Sequence, residues 1–171
     1  VQEGVELRVA GVEGPILVLS EQPPAMVALA VQHDLALTVY SSAQVAELAA
    51  LGAAQHPVHL KVDTGMRRVG AASHDAVALA DAIAASPATR LAGVFTHLAV
   101  ADEPDNPFTA QQLDRFDEVL ASLRAAGHEP PLVHAANSAG ALAHPRARYG
   151  MVRAGIAIYG ISPGAGVDQY C

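Results

Sequence analysis

VHLKVDTGMRRVG, Val58 to Gly70, decides how the rest of the chain is read. Its first half is a strand in which side chains alternate between two faces. Val58, Leu60 and Val62 share one face, and His59, Lys61 and Asp63 share the other. The strand then breaks at Thr64-Gly65 and presents Arg67 and Arg68. A buried cation is costly unless something anionic pairs with it. The end of this strand therefore reads as a place to hold a negatively charged ligand or a modified side chain.

Outward from it, strands alternate with helices. Pro15 to Leu19 is a continuous apolar run, as expected of a parallel strand covered on both faces. Pro23-Pro24 opens a helix carrying Met26, Val27, Leu29, Ala30 and Val31. Leu35 to Tyr40 is a second strand, and Ser41 with Gln44 has capping-box spacing before a helix that Gly52 ends. Val58 to Val62 is the third strand, Asp75 to Ala85 a helix, and Leu91 to His97 the fourth strand. Thr109 with Gln112 is a second capping box, followed by Leu113, Phe116, Leu120 and Leu123 at helical spacing up to Gly127. Leu132 to Ala136 is a fifth strand and Gly140 to His144 a short helical turn. Met151 to Ala154 is a sixth strand, which Ile156 to Tyr159 continues irregularly.

Alternating β and α units imply a parallel sheet with right-handed crossovers. Two architectures compete, an open doubly wound sheet and a closed barrel. No G-x-G-x-x-G follows the first strand, which removes the main support for a dinucleotide fold. Polar residues recur instead at the carboxyl ends of different strands: Asp63, His97, Ser138 and Gly155. A TIM barrel distributes its active site this way. A full barrel has eight strands, so about six β/α units predict an α/β fold that is an incomplete TIM (β/α)8 barrel, with the apolar face of each strand toward the helices and the polar face toward the lumen.

The 171 residues suffice for one domain with a real core, and alanine-rich composition without tryptophan means that small side chains fill much of it. A formal charge of −7 argues against nucleic-acid partners. No stretch approaches the length of a membrane span. The lone cysteine, Cys171, has no internal partner, which fits a reducing cytoplasm. The chain starts at Val1 rather than methionine, as a processed or excised piece would.

If two strands precede the first one here, Ser138 and Gly155-Ile156 follow strands seven and eight, the recurrent phosphate site of TIM barrels. A hydroxyl and backbone N–H groups beside glycine suit a phosphate. Arg153 lies within an apolar strand and needs a partner, for which His97 or a ligand atom could serve. His56 and His59 have H-x-x-H spacing, but Pro57 and the strand setting argue against a metal site. Asp63-Thr64-Gly65 matches the aspartic-protease triplet, yet those enzymes pair two carboxylates on an all-β fold.

Four segments resemble the bacterial alanine racemases, which use pyridoxal 5′-phosphate (PLP): KVDTGMRRVG at Lys61 to Gly70, FTHLAVADE at Phe95 to Glu103, HAANSAG at His134 to Gly140, and VRAGIAIYG at Val152 to Gly160. GPILVLSEQPP and LTVYS also look like that family, so the resemblance runs along almost the whole chain in order. It implies that residues 1–171 are a partial PLP-binding barrel domain of an enzyme that interconverts L-alanine and D-alanine and supplies D-alanine for peptidoglycan. It further implies that Arg68 meets the cofactor's phenolic oxygen and the substrate carboxylate, and that Arg153 faces the pyridine nitrogen with His97 behind it. Ser138, Gly155 and Ile156 would bind the phosphate, and Lys61 matches a lysine that is often carbamylated. Arg67 stands where the family usually has glycine. The family's Schiff-base lysine and tyrosine base have no counterpart among these residues, so the resemblance assigns no catalytic acid–base group to this chain. It implies a fragment inactive alone and a homodimer in the full-length protein. The alternative is a non-catalytic PLP-binding barrel of cofactor homeostasis, a related barrel without the carboxyl-terminal β-domain.

Overall fold

Strands that follow one another in sequence lie next to one another in space. The computed structural model describes residues 1–170; Cys171 lies outside the described residues. The strands are β1 (Leu17–Val18), β2 (Ala36–Val39), β3 (His56–Asp63), β4 (Ala71–Ala72), β5 (Thr89–Phe95) and β6 (Val133–His134). The helices are α1 (Gln2–Val9), α2 (Pro24–Gln32), α3 (Ser42–Ala50), α4 (Ala76–Ala85), α5 (Phe108–Ala125) and α6 (Ser138–Ala143). The sheet order is β1-β2-β3-β5-β6, with the short β4 attached to the end of β3, and every pairing is parallel. A doubly wound sheet reverses its strand order at a switch point. This one does not, and it is an incomplete (β/α) barrel.

The alternation in β3 sorts the two faces as its sequence implies. Val58, Leu60 and Val62 are fully buried in the core shared with Val27, Leu48, Ala80, Ile83, Phe116 and Leu123 of the helices. Each large apolar side chain buried this way stabilises the fold by roughly 1.5–3 kcal/mol. His59 and Lys61, on the opposite face, are also buried, each beside the Phe95 ring. Just past the end of helix α5, Gly127 has a φ of +89°, which suits glycine at that position.

Several local expectations need correction. The helix α1 was not legible, and β4 adds a strand pairing that no spacing signalled. The expected sixth strand is reduced to one bridge, Met151 to His134. Beyond it the Gly155 N–H donates to the Arg153 carbonyl (3.0 Å), which folds the backbone out of an extended course. Ile156–Tyr159 is accordingly a 3₁₀ turn rather than a continued strand.

Neither capping box is complete. Ser41 Oγ accepts from the Gln44 N–H (3.3 Å), but the Gln44 side chain reaches across to Gln22, and Glu21 takes the Ser41 N–H instead (2.6 Å). The Thr109 box does not form at all. Asn106 Oδ1 accepts from the Phe108 N–H (3.0 Å) and starts α5 earlier, which draws Thr109 inside the first turn.

Candidate functional site

The carboxyl ends of the strands open on a cavity of about 800 Å³. Its wall includes Lys61 and Arg68 from β3 and the loop after it, Phe95 and His97 from β5, Ser138 after β6, and Arg153, Gly155 and Ile156 after the Met151 bridge. All the residues that the resemblance implies for cofactor, substrate or modification thus line one cavity, whereas Asp63, also read at a strand end, lies outside it. Arg67 does not line it; it is exposed on the far side of the loop with φ +55°.

Asp63 organises that loop. Its Oδ1 accepts from the Gly65 N–H (2.9 Å) and its Oδ2 from the Arg68 N–H (3.0 Å). Burial alone would raise the carboxyl pKa, but backbone N–H groups of Arg67, Gly65, Arg68 and Met66 outweigh it and hold it below the usual range. Asp63 is therefore a spent acceptor that sets the direction of Arg68. The parallel α/β fold and this role together dispose of the protease reading.

Arg153 is the structural centre. One of its nitrogens donates to His134 Nδ1 (2.6 Å), and the other to the carbonyls of Thr96 (2.8 Å) and Ala135 (3.0 Å), with His97 Nδ1 at 3.3 Å. The sequence suggested His97 as its partner, whereas the shorter bond is to His134. The guanidinium carbon also lies 5.2 Å from the centre of the Phe95 ring. Among the described residues no carboxylate neutralises it; burial lowers its pKa to about 10, so it stays cationic at neutral pH. That charge acts on everything nearby. Burial, Arg153, Lys61 and Arg68 push His97 down to about 4. Burial, Arg68 and Arg153 also lower Lys61, against a smaller opposite pull from Asp63.

The family described as "Alanine racemase, N-terminal domain" matches residues 1–163. This chain belongs to that family. It is 44% identical over 171 residues to an alanine racemase of Symbiobacterium thermophilum, covering 98% of this chain and 45% of that protein. An alanine racemase of Geobacillus stearothermophilus is 42% identical over 168 residues, covering 96% and 42%. Among solved structures, an alanine racemase of Clostridium difficile in complex with cycloserine superposes with a TM-score of 0.92 at 32% identity, covering 98% of this chain and 47% of that one. The chain spans about half the length of the relatives it matches.

Within this alanine racemase domain, two buried side chains escaped the sequence reading. His134 is fully buried and stacks on Phe95 with ring centres 4.5 Å apart. Gln112, also fully buried, accepts from the Ala99 N–H (2.8 Å) and donates to the His97 carbonyl (3.1 Å). It thereby fixes the segment that carries His97. A signal existed for Gln112: it is a polar residue on the buried stripe of Leu113, Phe116 and Leu120. His56 and His59 have separate partners: His56 Nε2 bonds the Leu35 carbonyl (3.0 Å), and His59 turns to His134.

Proposed function

We propose that the protein to which this chain belongs interconverts L-alanine and D-alanine with PLP held in the cavity just described, supplying D-alanine for peptidoglycan. The observation that carries the reading is Arg153, a guanidinium whose Nη1 donates to His134 and whose Nη2 donates to two carbonyls, leaving Nε–H and the second Nη1–H without a protein acceptor among the described residues. The donor set fits PLP. Two guanidinium groups, Arg68 and Arg153, suit an anionic cofactor. A Cβ built on Gly155 would meet nothing nearer than Ser138 Oγ at 3.8 Å, so this edge has room for a phosphate oxygen beside a hydroxyl.

In this reading Ser138, Gly155 and Ile156 hold the phosphate, Arg153 with His97 behind it faces the pyridine nitrogen, and Arg68 meets the phenolic oxygen and the alanine carboxylate. PLP, when bound, supplies covalent attachment of the amino group and delocalisation of the charge left at Cα. Arg153 donates hydrogen bonds and has no lone pair, so it stabilises an unprotonated ring nitrogen. Phe95, stacked on the buried His134, is part of the cavity wall. Residues 1–171 act as part of a PLP-binding barrel domain, in a cytoplasmic homodimer. The groups that exchange the α-proton lie outside these residues. The test uses the whole protein that carries this chain. Purified with PLP, it should convert L-alanine to D-alanine and exchange the α-hydrogen with solvent. A protein that binds no PLP, or binds it without exchange, overturns the proposal.

Lys61 carries a further expectation. It is the only lysine of the 171 residues. Its amine has a lowered pKa and lies near two guanidinium groups. A neutral amine adds carbon dioxide, and the resulting carbamate would be an anion between Arg68 and Arg153, replacing repulsion by attraction. Labelled bicarbonate should therefore give one protected carbamate carbon signal, absent in Lys61→Met.

A further inference from the structure

The Arg153 guanidinium continues into the barrel as a row of two histidines. His134 Nε2 lies 3.0 Å from His59 Nδ1, and His134 Nδ1 lies 2.6 Å from Arg153. The row is closely fitted. His134 is fully buried and His59 is 6% exposed. The β3–β5 ladder shifts register between Val58 and His59, and Gly93 lies opposite His59. A Cβ on Gly93 would come within 2.5 Å of His59 Nδ1, so glycine there makes the space the ring occupies.

The hydrogens of this row have only one consistent order. Arginine has five N–H donors and no acceptor. His134 Nδ1 must therefore accept from Arg153, which puts the single ring proton of neutral His134 on Nε2. His59 Nδ1 must then accept from His134. Every hydrogen points away from the cavity. Reversing the order would set an Nδ1–H of His134 against an N–H of Arg153. Protonating His59 would likewise aim its Nδ1–H at the Nε2–H of His134.

We propose that His59 is a positioning residue: by accepting from His134 it holds that ring in the Nε2–H tautomer, with its lone pair on Arg153, so that the row offers no proton toward the ring nitrogen that Arg153 faces. The part concerning the ring nitrogen rests on the PLP reading above; the hydrogen order does not. Burial and electrostatics agree with it. Burial and Arg90 push His59 to about 4, and burial, Arg153 and His59 push His134 to about 3.

The test is nitrogen NMR of the whole protein carrying ¹⁵N-labelled histidine, with and without added PLP. At neutral pH, His134 should show a pyridine-type Nδ1 and a pyrrole-type Nε2, and His59 a pyridine-type Nδ1. In His59→Leu the His134 Nε2 proton should exchange roughly ten- to a hundredfold faster, the range expected for loss of one buried hydrogen bond. His59→Asn, whose side-chain oxygen falls near the former Nδ1, should restore slow exchange. A His134 that carries its proton on Nδ1, or on both nitrogens, overturns the proposal, as does unchanged exchange in His59→Leu. If the leucine variant does not fold, the tautomers of the unmutated protein still decide. PLP failing to bind while the tautomers are as stated would sink the proposed function and leave the hydrogen order standing.

Discussion

Stability will fall steeply as the pH drops from about 6.5 toward 4, well before most carboxylates titrate. The cause is the row beneath the cavity. His59 and His134 hold pKa values of about 4 and about 3 in the folded protein, against 6.5 for a free ring. Above 6.5 neither state binds these protons and the rings have no effect on stability. Below it the unfolded chain takes up protons that the folded chain refuses, so unfolding is favoured progressively until the folded values are reached. Each refused proton tilts the balance by about 1.4 kcal/mol per pH unit, so the two rings together give a slope of roughly 3 kcal/mol per unit. His97, also held near 4, and His56, lowered mainly by burial, add to the same direction. The accumulated loss reaches several kcal/mol near pH 5, comparable with the 5–15 kcal/mol that holds a typical domain together. Urea midpoints measured from neutral pH down to about pH 5 should therefore drop sharply, with unfolding taking up protons. A midpoint flat over that interval would contradict the buried, neutral state of the row.

Much of this architecture was legible because it rests on periodicity. The alternation in β3 separated Val58, Leu60 and Val62 from His59 and Lys61, and that one separation gave both a core face and a lumen. Strand order followed from the βα alternation with no dinucleotide turn. What stayed hidden has physical reasons. Helix α1 buries only Gly4, packed against Leu35, and so shows no apolar stripe. It is held instead by Arg8, whose side chain donates to four backbone carbonyls, including His33 (3.1 Å) and Asp34 (2.9 Å). Such tethering to remote carbonyls leaves no local pattern. The failed Thr109 capping box shows the same limit. Gln112 has the right spacing, but a buried amide goes where the unsatisfied groups are, and these were the backbone of residues 97 and 99, far away in sequence.

The candidate site divides in the same way. Lys61 and Arg68 stood out as cations near the end of the Val58 strand, His97, Ser138, Gly155 and Ile156 because they follow strands, and Arg153 as a cation inside an apolar run; their roles came from the resemblance, and they do line one cavity. His134 was not, since one histidine inside a short strand looks like any core residue. Its importance comes from a pairing 75 residues away with His59 and another with Arg153. Charge reasoning required a partner for Arg153 but did not choose among the histidines. Geometry chose His134, because the two share the stretch of sheet where Met151 bridges to it.

Replacing Arg153 separates two things that this residue does. Both Arg153→Met and Arg153→Glu remove the donors that serve the Thr96 and Ala135 carbonyls and His134 Nδ1, all at fully buried residues. A buried acceptor left without a donor costs about 1–3 kcal/mol, and water entering from the cavity recovers part of it, so each variant should lose about 3–5 kcal/mol of stability. Both should also raise the pKa of His97 and His134, which Arg153 now depresses. The chemistry should split the pair. Methionine offers nothing to a ring nitrogen, whereas a glutamic acid side chain can hand it a proton. With the cofactor bound, a protonated ring nitrogen would draw charge away from Cα, and the proton would then be returned to a carbon of the cofactor instead of to Cα, which is transamination. In the whole protein loaded with PLP, Arg153→Glu should raise transamination relative to racemisation, by an order of magnitude or more given what single hydrogen-bonding groups contribute at such sites. Arg153→Met should lose racemisation without that change in ratio. Stability and product ratio, read on the same two proteins, keep a damaged fold from passing for altered chemistry. An Arg153→Glu protein that stays folded with an unaltered ratio would remove Arg153 from the ring nitrogen and with it the central support of the proposed function.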